Sequence, residues 1–149
     1  MLKYESVNRK WEKELCSLFE NLLSGGDNYF FHPHPLTVSE AKKKINHSGR
    51  DLYFLQISNG TLCGYGFLRG WDEGYEIPSL GLAIHPKFRG QGFGGKFILF
   101  LHEQARQHGA QKVRLTVSTD NTAAISLYGK LGYRFRRKNE KTLEGFVEL

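Results

Sequence analysis

A mixed α/β domain, one sheet with helices packed on its faces, is what this sequence predicts. Three observations carry that expectation: 149 residues with 40% hydrophobic content, a run of strand signals in the first half, and strands alternating with helices in the second. The length suits one ordinary domain and is short for two. Folding at this size buries roughly 68–70% of the unfolded chain's surface, enough for a core without disulfide or metal staples. Disordered, collagen-like and mini-protein classes are thereby excluded, and residues 1–149 are expected to form a single domain.

Residues 2–7 read as a short strand. Between 11 and 23, Leu15, Leu18, Phe19, Leu22 and Leu23 recur at helical spacing until Gly25 and Gly26 stop them. Ser39 is expected to cap a second helix ending at Ile45. Residues 51–58 and 61–69 are apolar runs around Asn59-Gly60, the strongest short hairpin signal available, so two antiparallel strands follow. Residues 79–84 place Leu80, Leu82 and Ile84 on one face of a strand that His85-Pro86 ends. Residues 96–108 carry Phe97, Ile98, Leu101 and Ala105 at helical spacing, with Gly109 as the stop. Val113, Leu115 and Val117 alternate with Arg114 and Thr116 as a half-buried strand. Residues 122–131 read as a helix ended by Gly132, and 133–137 and 144–149 as final strands. Hairpins first and strand–helix alternation later imply a mixed sheet.

Cys16 and Cys63 are too far apart and too plainly surrounded for a disulfide framework or a Cys-x-x-Cys pair, which points to a reducing cytoplasm. No stretch approaches ~18 apolar residues, and the charged N-terminus lacks a signal peptide's apolar core. No membrane partner is expected. Residues 85–149 hold 12 basic and 5 acidic side chains, whereas residues 1–84 hold 9 and 10. The basic half suits an anionic ligand as well as a merely soluble surface. No nucleic-acid recognition motif accompanies it.

Residues 89–96, RGQGFGGK, lie between a strand and a helix, where unpaired N–H groups of the first helical turn favour a phosphate or pyrophosphate. Gly90, Gly92 and Gly95 satisfy G-x-G-x-x-G, and Gly90 to Lys96 nearly satisfies a P-loop. The P-loop reading fails because Phe97 occupies the position whose hydroxyl would hold Mg²⁺. The dinucleotide reading fails because the preceding sheet is antiparallel and 113–117 contain no acid. A tight strand-to-helix turn of purely structural meaning is the remaining alternative.

Arg89, Gly92 and Gly94 also make an Arg-x-x-Gly-x-Gly signature, preceded by Leu-Gly-Leu-Ala-Ile-His-Pro. Downstream stands Asn121-Thr-Ala-Ala-Ile-Ser-Leu-Tyr-Gly-Lys-Leu-Gly-Tyr133. In both blocks, in order and spacing, the chain resembles the GNAT superfamily of acetyl-CoA-dependent N-acetyltransferases. The resemblance implies a mostly antiparallel sheet with a splayed central parallel pair and helices on both faces. It implies that acetyl-CoA binds along Leu82, Ala83 and Ile84, with its pyrophosphate at Arg89, Gly90, Gln91, Gly92, Phe93, Gly94 and Gly95. Asn121 would bond the pantetheine, and Tyr128 would also touch the cofactor. Arg134, Arg136, Arg137 and Lys138 either reach the nucleotide or form an exposed strand face.

Acetyl transfer needs a neutral amine, a polarised carbonyl and a proton for the leaving thiolate. Tyr128, seven residues after Asn121 and on the same helical face, is by resemblance the proton donor, while N–H groups of 82–84 would polarise the carbonyl. The base is less plain. Pro78 stands where some members carry a glutamate, and Thr116 where others carry an acid, so Glu76 is the substitute, with Asp72, Glu73, His32 and His34 as rivals. His85 reads as a strand end. Phe31, His32 and His34, in a proline-stiffened aromatic loop, are expected to wall the acceptor site, with an aromatic clamp between the helices as the alternative. Two histidines are too few for a metal, and none is expected. The expected activity is direct acetylation of a primary amine on a small molecule, an amino sugar or amino-acid derivative. A protein N-terminal or lysine acetyltransferase and a non-catalytic acyl-CoA-binding module are the alternatives, and a homodimer is left open.

Overall fold

The computed structural model describes residues 1–25 and 34–149. In chain order the elements are β1 (Leu2–Ser6), α1 (Glu12–Ser24), α2 (Val38–Ile45), β2 (Leu52–Ser58), β3 (Thr61–Arg69), β4 (Ser79–Ile84), α3 (Phe93–Gln107), β5 (Lys112–Ser118), α4 (Thr122–Lys130), β6 (Arg134–Asn139) and β7 (Thr142–Glu148). One seven-stranded sheet runs β1-β2-β3-β4-β5-β7-β6, antiparallel throughout except at β4 and β5. That is the mixed α/β class the sequence predicts.

Alternation along the strands builds two cores. Tyr53, Leu55 and Ile57 of β2 and Leu62, Tyr65 and Phe67 of β3 face Leu15, Leu18, Phe19 and Leu22 of α1 and Ala41 of α2. Leu68, Leu80, Val113, Leu115 and Val117 face the other way, against Phe97, Ile98, Leu101 and Ala105 of α3, with α4 packed beside them. Leu62 and Tyr65 share a face despite odd spacing because the β2–β3 register shifts at Gln56/Ile57, which leaves Cys63 as an extra residue. Burying each Phe or Leu stabilises by roughly 1.5–3 kcal/mol, so the two stripes that mark α1 and α3 in the sequence also hold them to the sheet.

Several element ends shift from expectation, β6 running on to Asn139 and β7 starting at Thr142, and two of the shifts bear on capping and on the site. Thr37 rather than Ser39 caps α2, its Oγ1 accepting from Glu40 N at 3.2 Å. α3 begins at Phe93 rather than Lys96, so Gly94 and Gly95 lie inside its first turn. Glycines discourage helix when counted singly, yet here they sit where backbone approach matters: a Cβ on Gly95 or Gly94 would meet Leu127 of α4 at 3.6 Å.

No helix among the described residues is long and apolar enough to cross a membrane.

Candidate active site

The parallel pair β4 and β5 shares a single register position, Ser79 opposite Arg114, supported by Arg114 N donating to Pro78 O at 3.0 Å. Beyond that apex the strands part, leaving a wedge that opens toward their C-terminal ends. Each strand leads into a helix there, so the N-termini of α3 and α4 both stand at the mouth, packed together through Leu127 against Gly94 and Gly95.

The inner edge of β4 is polar. His85 N donates to Cys63 O at 2.8 Å, and β3 and β4 pair without a register shift. Antiparallel alternation then turns Ala83 N–H toward β3 and Leu82 and Ile84 N–H toward the wedge. Of the three expected donors, two therefore face the wedge, and Ala83 is spent on the sheet. The Ile84 carbonyl accepts from Arg89 Nε at 3.0 Å, so Arg89 ties the glycine loop to β4.

Gly90 and Gly92 hold positive φ of 78° and 79°, and a Cβ on either would meet nothing within 4 Å. Gly92 is the N-cap of α3 and offers no side chain to cap it, leaving first-turn N–H groups directed into open space with the positive end of the helix dipole behind them. Gln91 and Phe93 belong to the same turn, and Phe93 O accepts from buried Gln56 at 2.9 Å, which fixes the loop to β2. Asn121 caps α4, its Oδ1 accepting from Ala124 N at 3.3 Å. Its Nδ2 donors remain for a ligand.

Tyr128 of α4 is half-buried, its ring 5.4 Å from Tyr133, and burial pushes its phenol up to about 12. Tyr133, where the family block has Phe, is itself buried and meets His102 Nε2 through its hydroxyl at 2.8 Å. Burial first, then Arg106, lowers His102 to about 4. The unfolded imidazole titrates near ~6.5 and binds the proton more readily, so stability is full above that pH and is lost as pH falls toward about 4. The loss amounts to on the order of 3 kcal/mol. Urea midpoints at pH 7 and pH 4.5 should show it, and His102→Gln should shrink the difference; an unchanged difference would place the acid sensitivity elsewhere.

The remaining expected residues scatter. Glu76 is exposed, in the bend preceding β4, and no described contact joins it to Tyr128 or His34. Phe31 and His32 lie outside the described residues. His34 Nε2 meets Tyr65 Oη at 3.0 Å and Nδ1 meets Pro35 O at 2.8 Å, beside Phe19 and Tyr65. Burial keeps its pKa below the ordinary value. Among the described residues, Asp72 is occupied by His47 and Arg50 N, and His85 caps the turn after β4 by accepting from Lys87 N at 3.1 Å. Arg136 pairs with Glu144 at 2.7 Å on an exposed strand face. Among the described residues no group of three metal-ligating side chains occurs. Tyr65, Phe67 and Arg69, which no sequence motif singles out, share one face of β3, the strand beside β4, and their alternation is the signal that marks them.

Comparison with known proteins agrees with this geometry. The profile of the acetyltransferase (GNAT) family matches residues 14–133. An acetyltransferase of Yersinia pestis is 33% identical over 94 residues, 63% of this chain and 64% of the relative, and one of Pectobacterium atrosepticum is 34% identical over the same shares. The match thus spans under two thirds of the length of these curated relatives. Among solved structures, a GNAT-family acetyltransferase of Streptococcus pneumoniae superposes with a TM-score of 0.81 at 19% identity, covering 100% of both chains. Spermidine N-acetyltransferase of Vibrio cholerae, in complex with CoA and spermine, superposes at 0.82 and 16% identity, covering 99% of this chain and 95% of that one. These structural likenesses establish a common fold. With the profile covering residues 14–133, the chain belongs to the GNAT family of acetyltransferases.

Proposed function

We propose that this chain transfers the acetyl group of acetyl-CoA directly to a primary amine of a small molecule, without a metal. The observation that carries the reading is the wedge between β4 and β5 with two helix N-termini at its mouth. Its residues fit coenzyme A: the open cradle at Gly90 and Gly92 suits a pyrophosphate, and a strand edge with N–H groups to spare suits the amides of a pantetheine arm.

Acetyl-CoA supplies an activated thioester. The protein's part is positioning and charge. Leu82 and Ile84 N–H groups stabilise the negative charge that builds on the carbonyl oxygen as the amine nitrogen bonds to carbon. Tyr128 gives its proton to sulfur as the C–S bond breaks, and Asn121 Nδ2 steadies the arm on the same helical face. Glu76, exposed in the bend before β4 and beyond Ser79 as seen from Leu82, takes through water the proton that the amine must lose. His34 walls the acceptor, and Phe31 and His32, which lie outside the described residues, are the further candidates for that role. A reducing cytoplasm goes with this reading, since Cys16 and Cys63 are both free thiols.

Release of free thiol on adding amines to the protein and acetyl-CoA tests the activity. A protein that binds the cofactor and releases no thiol with any amine is a binding module instead. In the same assay Glu76→Gln should lower kcat and move its rise to higher pH, because the amine must then deprotonate unaided. A pH profile identical to that of the unaltered protein removes Glu76 from the mechanism.

A further inference from the structure

At the apex of the wedge, Arg69 on β3, Ser79 on β4 and Arg114 on β5 occupy one row of the sheet, since Arg69 pairs with Ser79 and Ser79 with Arg114. All three side chains project to the α1/α2 face. Tyr65 and Phe67, which precede Arg69, pack there; Ala83 fixes the same face for Ser79; and Val113 and Leu115 on the opposite face fix it for Arg114. Neighbouring strands lie ~4.8 Å apart, so two guanidinium groups rise roughly 10 Å apart at their bases with a small hydroxyl between them. Two residues along β4, the same face at Gly81 is covered by the Phe67 ring, which a Cβ there would strike. Arg69 rests 5.4 Å from that ring.

Among the described residues, two guanidinium groups of this region share one carboxylate. Glu144 Oε1 takes two bonds from Arg136, at 3.0 and 2.7 Å, while Arg114 makes one longer contact, 3.4 Å, to Glu144 Oε2. One carboxylate thus faces two guanidinium groups. Among the described residues, three acids on the neighbouring part of the face are already engaged. Glu40 meets Lys43 and Lys44, Asp72 meets His47 and Arg50 N, and Asp51 accepts from Gly70 N and Asp72 N. Among these three acids a second ammonium would have to displace an existing partner, whereas a carboxylate can add to the Arg114 fork, which makes one long contact.

We propose that Arg69, Ser79 and Arg114 bind an anionic group of the acceptor, so that the amine acetylated is a small molecule that also carries a carboxylate. The inference rests on the wedge being the acetyl-CoA site. Leu82 N–H marks the thioester carbonyl, and Ser79 lies three residues back along β4, roughly 10 Å at the usual strand rise. Side-chain reach shortens that gap, so amine and carboxylate should be separated by several bonds rather than share one carbon.

Thiol release is measured with 6-aminohexanoate, glycine, hexylamine and 1,6-diaminohexane. We expect kcat/KM for 6-aminohexanoate to exceed that for the diamine and for glycine by at least ~10-fold, and Arg114→Gln to raise its KM at least ~10 times more than that of hexylamine. Arg114→Lys should recover part of the loss. Preference for the diamine, or equal KM increases for the charged and uncharged acceptors in Arg114→Gln, overturns the subsite while leaving acetyl transfer standing. Calorimetry with N-acetyl-6-aminohexanoate, with and without coenzyme A, reads the subsite without turnover. Binding that Arg114→Gln abolishes supports it, and no binding by the unaltered protein overturns it. Failure of coenzyme A itself to bind strikes instead at the reading of the wedge.

Discussion

Tyr128→Phe should lower kcat by ~10²-fold or more while leaving the affinity for coenzyme A within a factor of about two. The substitution removes one hydroxyl and keeps the ring that packs 5.4 Å from Tyr133, so fold and cofactor site have no reason to change. Burial has two consequences for the role. A phenol pushed up to about 12 stays protonated across the working range, so the alkaline limb of the pH–rate profile should not report Tyr128. It is also a weaker acid than an exposed tyrosine, set against a thiol whose ordinary value is ~8.5. The same desolvation acts on a thiolate leaving inside the wedge, much as it pushes the buried Cys63 thiol up to about 11, and the mismatch narrows accordingly. Single-turnover thiol release in Tyr128→Phe decides the matter. A parallel fall in cofactor affinity and melting temperature would mean that the residue serves the packing of α4 and not the leaving group.

The parts of this molecule legible in the sequence are those set by local chemistry. Asn59-Gly60 specifies its hairpin through backbone preference alone, with both residues at positive φ, and the apolar stripes of α1 and α3 specify a buried face each. The glycine loop was legible as a strand-to-helix turn but not in its boundary: Gly94 and Gly95 join the helix, and Leu127, more than thirty residues on, packs against them. The single β4–β5 register position follows from no spacing in the sequence, since parallel strands are joined only through a long crossover. The same holds for the Arg69–Ser79–Arg114 row, whose members are distant in sequence and meet only through pairing. His34 illustrates a third limit. Its type and its proline neighbours suggested recognition, yet its contact with Tyr65 depends on β3 placing a hydroxyl beneath it.

Gly92→Glu should abolish coenzyme A binding. Gly92 caps α3 with φ of 79°, and the space where its Cβ would stand is open to 4 Å, so a side chain added there enters the path by which a pyrophosphate reaches the first-turn N–H groups. Two effects then act together, strain from a left-handed backbone and repulsion from a like charge. Strain costs on the order of 1 kcal/mol. A carboxylate ~5 Å from one phosphate charge at an effective dielectric near 20 costs about 3 kcal/mol, roughly a hundredfold in affinity. Charge should therefore dominate, and Gly92→Asn against Gly92→Asp separates the two, because both tolerate this backbone and differ by one charge. Calorimetry should find the Asn variant within ~10-fold of the unaltered protein and the Asp variant weaker by a further ~10²-fold, with the gap closing as salt is raised. Equal losses in both would assign the effect to backbone strain, and full affinity in Gly92→Glu would move the pyrophosphate away from the N-terminus of α3.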